Sequence, residues 1–339
     1  MKKDFLSIIL MSFLVVFFTS TALAQQPSPS KVFKWKIQGQ WPTGSSSYKP
    51  LDDYCKELKE ITNGRLQLTL FPAGAIIPTK DIFASVRKGA IEGSCVTPSY
   101  WASTIRMAGV ASNIPMTFAN FQEGLDFHFN YGFEDMLKKA HAEQNIIYYT
   151  ERIYPAALIV KKPIRTIADF KGMKLRSSGT IGKLLTALGA STIYVPGQEL
   201  YMSLQTGIIE GAHWGAAGGA VTAKLCEIAK YFIRPDVAMT ADSLIFNADA
   251  YNALPKDLQA ILDHTLKARA YRRSVEYELM EQEAMKTMVK DYGVEIITLP
   301  KEDVKTMQAI AAKEWDALAA GDADAVEVIR RLRAFLKVD

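Results

Sequence analysis

The chain has 339 residues, 49% of them hydrophobic and 22% charged, and its 40 Lys and Arg against 36 Asp and Glu give a net charge of +4. That length and apolar content suit two compact domains and exclude a disordered chain. The small charge is interspersed, without a basic block, which excludes nucleic acid as the partner that composition would select.

The chain opens with MKKD, the unbroken apolar run FLSIILMSFLVVFF and then TSTALA. A basic start, an apolar stretch and small residues form the layout of a secretory signal peptide, with cleavage expected near Ala24. The apolar run is shorter than the roughly 20 residues a spanning helix needs, so export is favoured over an uncleaved anchor. QQPSPSK (25–31) reads as a polar linker.

Phe33, Trp35 and Ile37 alternate in KVFKWKIQG, the pattern of a first strand. The Gly/Ser loop WPTGSSSYKP follows, its serines placed to cap a helix whose apolar face is Leu51, Tyr54, Cys55, Leu58 and Ile61. Asn63-Gly64 stops that helix, and RLQLTLF alternates as a second strand. A turn at Pro72-Ala73-Gly74, a helix over DIFASVRK, Gly89 and a short strand through Cys95 and Val96 complete a βαβ order, which argues for an α/β lobe.

Near residue 153 the pattern starts again. YPAALIV reads as a strand, TIADFKG as a turn and short helix, and MKLRSSG as a strand ending in a loop. TIGKLLTALGA is a helix closed by Gly189, STIYVP a strand, QELYMSLQT a helix closed by Gly207, and IIEGAHW a further strand. GIIEGAHW (207–214) repeats the G-x-I-E-G of GAIEGSCV (89–96), so a helix-Gly-strand unit stands in each half and points to two similar lobes. The glycine-rich run 215–219 lacks the G-x-x-x-x-G-K pattern of a phosphate loop and reads as a close-packed turn.

From Leu254-Pro255 to about Asp291 a helical run has no internal Gly or Pro. At 1.5 Å per residue it is roughly 55 Å long, whereas one lobe is only about 30 Å across. It therefore braces both lobes, and its apolar spacing does not keep the heptad of a coiled coil. VEIITLP returns as a strand, and two helices parted at Gly321-Asp322 end the chain. The expected division is lobe I over 31–152 plus 243–270, lobe II over 153–242 plus 292–320, a shared helix over 255–291 and a C-terminal helix over 321–339.

Cys55, Cys95 and Cys226 have no metal spacing, and His128, His141 and His264 lie on helix-like runs without H-x-x-x-H, so buried thiols and structural histidines are expected. No nucleophile elbow, zinc motif or dinucleotide fingerprint is present, and no cofactor is expected. The sharpest candidate is Arg176, at a strand end and followed by Ser177, Ser178 and Gly179. Ligands of α/β lobes bind beyond such ends, and a guanidinium fork matches a carboxylate. A solvated surface arginine is the alternative. The repeated unit carries His213 and Trp214 to one side of a cleft and Tyr100 and Trp101 to the other, unless these rings fill the lobe cores. Trp41, Tyr154 and the loop residues Ser46, Ser47 and Tyr48 are further cleft candidates.

These segments resemble a known family. ITNGRLQLTLFPAG, FPAGAIIPTKDIFASVRKGAIEG, IADFKGMKLRSSG with LYMSLQTGIIEG, and ALPKDLQAILDHTLKARA are similar, in order and spacing, to hallmark stretches of the DctP-type periplasmic solute-binding subunits of TRAP (tripartite ATP-independent periplasmic) transporters. The resemblance covers about residues 31–320. It implies a two-lobed periplasmic binding protein of α/β class with mixed sheets and a bracing helix, not an enzyme. Such a protein captures a small organic acid, a carboxylate or a sulfonate, by cleft closure and delivers it to small and large integral membrane subunits. It implies a monomer in the periplasm, and Arg176, in G-x-K-x-R, as the residue that binds the carboxylate. Lys161 and Lys162 fall where the family often carries a second basic group. Some members hold a metal with a carboxylate at the position of His213 and an upstream Gln; this chain has His213 and Tyr154-Pro-Ala-Ala there, so no metal is expected and His213 reads as a hydrogen-bond donor to the acid. The rival readings are an extracytoplasmic sensor subunit and an exported hydrolase or lyase with His213 as base.

Overall fold

The structure, a computed structural model, describes residues 31–112 and 114–338; the expected signal peptide and most of the linker lie outside the described residues. Strands β1 (Phe33–Gly39) and β2 (Leu66–Phe71) pair in parallel across α1 (Tyr48–Ile61). Four of the five residues expected on the inner face of α1 are buried, and Ile61, its last residue, is exposed. Ser47 stands at the start of α1 but does not cap it; its hydroxyl instead accepts from Arg152 Nη2 at 2.9 Å.

Next come α2 (Ile82–Arg87) and β3 (Gly93–Val96), parallel to β1, and then α3 (Arg106–Ala111), α4 (Phe121–Phe129) and α5 (Phe133–Ala142). The strand expected to begin near residue 153 begins earlier. It is the second half of β4 (Ile146–Val160), whose first half carries Tyr148, Thr150 and Glu151 into the interior. Then follow β5 (Lys174–Arg176), α6 (Gly179–Ala187), β6 (Ser191–Ile193), α7 (Leu200–Gln205), β7 (Gly211–Trp214) and α8 (Ala216–Thr222). The chain ends with β8 (Tyr231–Asn247), α9 (Ala248–Asn252), α10 (Lys256–Tyr292), β9 (Glu295–Thr298), α11 (Lys301–Ala319) and α12 (Ala323–Leu336).

Strand order is β2-β1-β3-β8-β4-β7-β5-β6, with β9 beside β8, so the two strand groups are one hydrogen-bonded sheet. The antiparallel ribbon of β4 and β8 joins them. β3 pairs with β8 at Ser243–Phe246, whereas β7 pairs with β4 at Ala157–Val160 and β9 with β8 at Tyr231–Arg234. Between these ends the ribbon shifts register twice, at Thr150/Arg152 and at Ala156/Leu158. Such bulges bend and twist a strand pair.

The repeated G-x-I-E-G has one explanation in both halves. Gly89 and Gly207 end their helices with φ of +71° and +79°, a conformation that favours glycine. Ile91 and Ile209 are buried. Glu92 accepts the backbone N–H of Lys36 in β1 at 2.6 Å, and Glu210 accepts that of Lys174 in β5 at 3.0 Å. A Cβ at Gly93 would stand 2.9 Å from the Ile245 carbonyl oxygen, and one at Gly211 the same distance from that of Ile159. The second glycine thus admits the ribbon strand that passes each lobe.

The long helix runs 37 residues, as its pattern predicts. Leu258, Leu262 and Leu266 pack with the core of β1 and α1, and Ala284 and Met288 with that around β7 and α8. Its middle is polar: Arg269, Arg273, Ser274 and Glu281 are buried. The glycine-rich run expected as a turn is helix α8. Tertiary packing overrides glycine's weak propensity: a Cβ at Gly218 would meet Met280 at 2.5 Å, and Glu281 accepts from the N–H groups of Ala217 and Gly218 at 2.7 Å each. α11 packs against both α3 and α6, and Trp315 Nε1 donates to the Pro115 carbonyl at 2.9 Å.

Candidate functional site

The ribbon carries charges where strands of this burial are normally apolar. Glu151, Arg152 and Asp242 are each at most 2% exposed. Charges buried this deeply are costly unless they are paired. Arg152 Nη2 donates to Asp242 Oδ2 at 2.5 Å, and Arg269 of α10 donates to Glu151 at 2.8 Å, with Arg273 Nε 3.5 Å from the same oxygen. Burial pushes the Glu151 carboxyl up, but Arg152, Arg269 and Arg273 more than offset it and hold it below its ordinary value. At the bulge the Ile153 N–H donates to Ser274 Oγ at 2.8 Å, so α10 satisfies a group the ladder leaves open.

Around Arg152 stand three rings: Trp41 from the loop after β1, Tyr154 of β4 and Tyr277 of α10, with centroids 5.1, 4.6 and 4.9 Å from the guanidinium carbon. Tyr154 Oη also donates to Asp242 Oδ1 at 3.3 Å, and Gln40 donates to the same oxygen at 3.0 Å.

Arg176 lies at the end of β5, between β6 and β7, and is 4% exposed. Its Nε donates to the Val195 carbonyl at 3.0 Å and its Nη1 to the His213 carbonyl at 2.9 Å. These bonds fix the plane of the fork and leave Nη2 without a hydrogen bond among the described residues. Trp214 lies 4.9 Å and Tyr194 5.7 Å from the guanidinium carbon. Burial lowers the Arg176 pKa, and Tyr100, Tyr194 and Tyr154 act on it in the opposite sense. Tyr100, from the β3 side, is raised by burial and by Tyr194. Residues of both strand groups therefore converge on one cation.

Trp214 itself is slotted between glycines. A Cβ at Gly197 would stand 2.6 Å from its Cη2, and one at Gly219 would stand 3.0 Å from its Cδ1. Only bare backbone fits on either side of the indole.

The sequence candidates thus divide. Arg176, Trp214, Tyr100 and Tyr154 come together, and Trp41 joins them through Arg152. Trp101 does not reach the cleft: it stacks on Phe83 with centroids 4.8 Å apart, and its Nε1 donates to His141 Nε2 at 2.9 Å. Its 3-10 turn points it inward, into the core that holds Phe83. His213 follows strand alternation, so its ring faces away from the Trp214 side of β7. Its Nδ1 is 2.9 Å from Ser177 Oγ, and burial, with Arg176 nearby, pulls it down to about 3, so it is neutral rather than cationic. Ser177 is occupied by that contact. Lys162 is a surface residue, paired with Glu210 at 2.6 Å with 71% of its side chain exposed, and Lys161 Nζ donates to the Leu204 carbonyl at 3.1 Å.

Sequence reasoning missed Arg152, Asp242, Tyr194 and Tyr277. A signal was present for two: TERIY and TADSLIF set charges inside runs otherwise apolar enough for buried strands. Tyr194 and Tyr277 carried none, because an aromatic on a strand end or helix face reads as core.

Comparison with known proteins places the chain. The profile of the bacterial extracellular solute-binding proteins, family 7 (DctP), matches residues 37–322. A monocarboxylate 2-oxoacid-binding periplasmic protein of Nostoc sp. (strain PCC 7120) is 25% identical over 324 residues, covering 94% of this chain and 88% of that protein. A 2,3-diketo-L-gulonate-binding periplasmic protein of Escherichia coli K12 is 25% identical over 247 residues, covering 71% and 74%. Two solved TRAP solute-binding proteins share the fold. One, from Bordetella bronchiseptica RB50 with copurified calcium and picolinate, has a TM-score of 0.84 at 20% identity, covering 91% and 92%. The other, from Colwellia psychrerythraea with calcium and pyruvate, has 0.82 at 24%, covering 91% and 95%.

Proposed function

Since the chain belongs to the bacterial extracellular solute-binding proteins of family 7, we propose that it captures a small organic acid in the periplasm and hands it to the small and large membrane subunits of a TRAP transporter. Relatives are named for binding monocarboxylate 2-oxoacids, 2,3-diketo-L-gulonate and ectoine or 5-hydroxyectoine, and two solved neighbours hold pyruvate and picolinate. The observation that carries the reading is Arg176: a guanidinium 4% exposed, aimed by two backbone carbonyls, with no acidic side chain in ion-pairing range among the described residues. A buried charge without a partner is costly, and an entering carboxylate removes that cost.

In this reading the acid accepts hydrogen bonds from Arg176, while Tyr100, Tyr154, Tyr194 and Trp214 wall it and exclude water. Lobe I carries Tyr100 and lobe II carries Arg176, so closing the lobes about the β4–β8 ribbon strengthens the ion pair by desolvation. Calcium or sodium accompanies the acid in some neighbours. The donors here do not fit such an ion: among the described residues no three His, Cys, Asp or Glu side chains gather, and His213 is engaged with Ser177. The protein works as a binder, not an enzyme, and as a monomer, with residues 1–24 as its cleaved export signal. A thermal-shift screen of the protein against organic acids tests this. An acid at 100 times its Kd stabilises by about 2.7 kcal/mol and should raise Tm in wild type but not in Arg176→Ala.

A further inference from the structure

The chain is strained where it leaves Trp214. Gly215 leads into Ala216, a buried residue at the start of α8 whose φ of +41° lies in the left-handed region that favours glycine. Such a residue stays there only where its surroundings hold it. One turn of α10 supplies the hold. Tyr277 Oη donates to the Gly215 carbonyl at 3.0 Å, and the two carboxylate oxygens of Glu281 accept from the N–H groups of Ala217 and Gly218 at 2.7 Å each. Bare backbone admits this clasp: a Cβ at Gly215 would stand 2.9 Å from Tyr277 Oη, and one at Gly218 would stand 2.8 Å from Glu281 Oε1.

The bend joins two parts of the site. Before it, the His213 carbonyl accepts from Arg176 and the Trp214 ring lies against the guanidinium; after it, the backbone at Gly219 backs the indole. A shift of α8 therefore carries to the ring and to the carbonyl that aim the fork. The clasp depends on charge. An ionised carboxylate accepts with both oxygens, whereas a protonated acid has a hydroxyl in place of one acceptor and serves only one of the two N–H groups well. Burial, with Asp236 and Glu278 adding to it, pushes Glu281 up to about 8 against the pull of the two N–H groups. The other charged or titratable groups about it are Tyr277 and Glu278 on α10 and, on β8, Asp236 with its partner Arg234; α8 carries none. Burial raises Tyr277 above its already high ordinary value and brings Asp236 only to about 6, so neither shares the range around 8.

We infer that Glu281 is a positioning residue and the pH-sensitive half of this clasp: as the carboxylate it holds the bend after Trp214, and its protonation loosens the ring, the His213 carbonyl and, through them, the grip of Arg176 on an acid. The effect on affinity rests on the proposed reading of Arg176 and adds its regulation; the effect on Trp214 stands apart from it. Affinity is then greatest above the Glu281 midpoint and falls as pH drops through it. Repulsion between the ligand's charge and an ionised Glu281 would give the opposite slope, so the two causes separate.

The test uses wild type, Glu281→Gln and Trp214→Phe between pH 7 and 9.5, with melting curves to establish that each is folded. Tryptophan fluorescence of the free protein reads the ring without any ligand. Isothermal titration calorimetry reads affinity for pyruvate, 2-oxobutyrate, 4-methyl-2-oxopentanoate and benzoate, all ionised throughout. Wild-type fluorescence should titrate with a midpoint at about 8, and neither variant should show that transition. In wild type an acid should bind about fivefold or more tighter at pH 9.5 than at pH 7, a modest coupling. Glu281→Gln, whose amide stands in for the protonated acid, should stay within about twofold of the wild-type pH 7 affinity at every pH. If this variant does not fold, the wild-type profiles alone decide. The inference is overturned if the fluorescence transition is missing from wild type or persists in either variant, if affinity is flat or falls with rising pH, or if the folded glutamine variant keeps the wild-type profile. If no acid binds wild type at any pH while the fluorescence titrates, the reading of Arg176 fails and takes the affinity effect with it, and the clasp on Trp214 remains.

Discussion

The guanidinium of Arg176 and the backbone carbonyl of His213 meet at 2.9 Å, so this buried cation is oriented by main chain and not by an acid. A salt-bridged arginine would have to give up its partner before binding a carboxylate. Replacing Arg176 by Ala should therefore weaken binding of the acid found by screening by about 2–5 kcal/mol, roughly thirty- to several-thousand-fold. Arg176→Lys should recover only part, since one ammonium cannot hold the Val195 and His213 carbonyls and present a fork. Titration calorimetry checks both, and wild-type affinity in the alanine variant removes Arg176 from the site.

The slot that holds Trp214 makes a second prediction. A methyl at Gly197 would stand 2.6 Å from the indole, so Gly197→Ala has to rotate or push the ring. Overpacking of this kind costs about 1–3 kcal/mol. Because the same ring lies against Arg176, the variant should lose affinity together with stability. An unchanged Kd in a destabilised protein would separate Trp214 from the ligand.

Acidification should work against the fold at its buried histidines. Burial holds His128 and His213 down at about 3 and His141 at about 4, against 6.5 when unfolded. Between those values these rings bind more protons in the unfolded chain, so their contribution to stability is full above pH 6.5 and falls as pH drops towards 4. Each histidine costs about 2 kcal/mol at pH 5. Burial holds the Glu281 carboxyl up at about 8 and those of Asp236 and Asp242 at about 6, which acts in the opposite sense as pH falls, so the histidine effect is read by difference. Urea denaturation from pH 7.5 to 5 should show wild type losing about 2 kcal/mol relative to His213→Asn by pH 5, and the same pH dependence in both proteins would show that the His213 ring is not held neutral by the fold.

Glu151 balances three arginines. Its replacement by Gln strips the carboxylate from Arg269 and leaves Arg152 and Arg273 with less compensation. Breaking one side of a buried ion network costs about 3–5 kcal/mol. Chemical denaturation should report a loss of that order, whereas Glu57→Gln, at an exposed pair with Arg272, should lose at most about 1 kcal/mol.

How much of this was legible in the sequence follows from which forces act locally. Alternation, helix period and glycine stops are local, and they located β1, β2, α1, α10 and the repeated helix-Gly-strand units. Arg176 could be picked out as a candidate because it stands at a strand end before Ser-Ser-Gly, and its burial is what the structure adds. The ribbon was not, since its pairing partners are 71 to 101 residues apart between the matched positions Val160–Tyr231 and Ile146–Asn247. A bulge leaves no trace in composition, so β4 looked like a strand starting at residue 153. Trp101 failed for a related reason. Its neighbour Tyr100 and it occupy consecutive positions of a tight turn, which buries the Trp101 ring in the core and leaves Tyr100 partly buried at its edge.

β4 and β8 are bonded to each other over nearly their full length, so the passage between the halves is a twisted tape and not a pair of slack tethers. Its deformation sets an elastic toll that is the same for every guest. A uniform toll lowers all affinities together and ranks none of them, because an equilibrium shifts only by the difference in how each state holds the guest. Discrimination among acids is thereby left to the few side chains that line the crevice. The tape can therefore be stiffened or relaxed by substitution, tuning overall affinity without redrawing the ligand range.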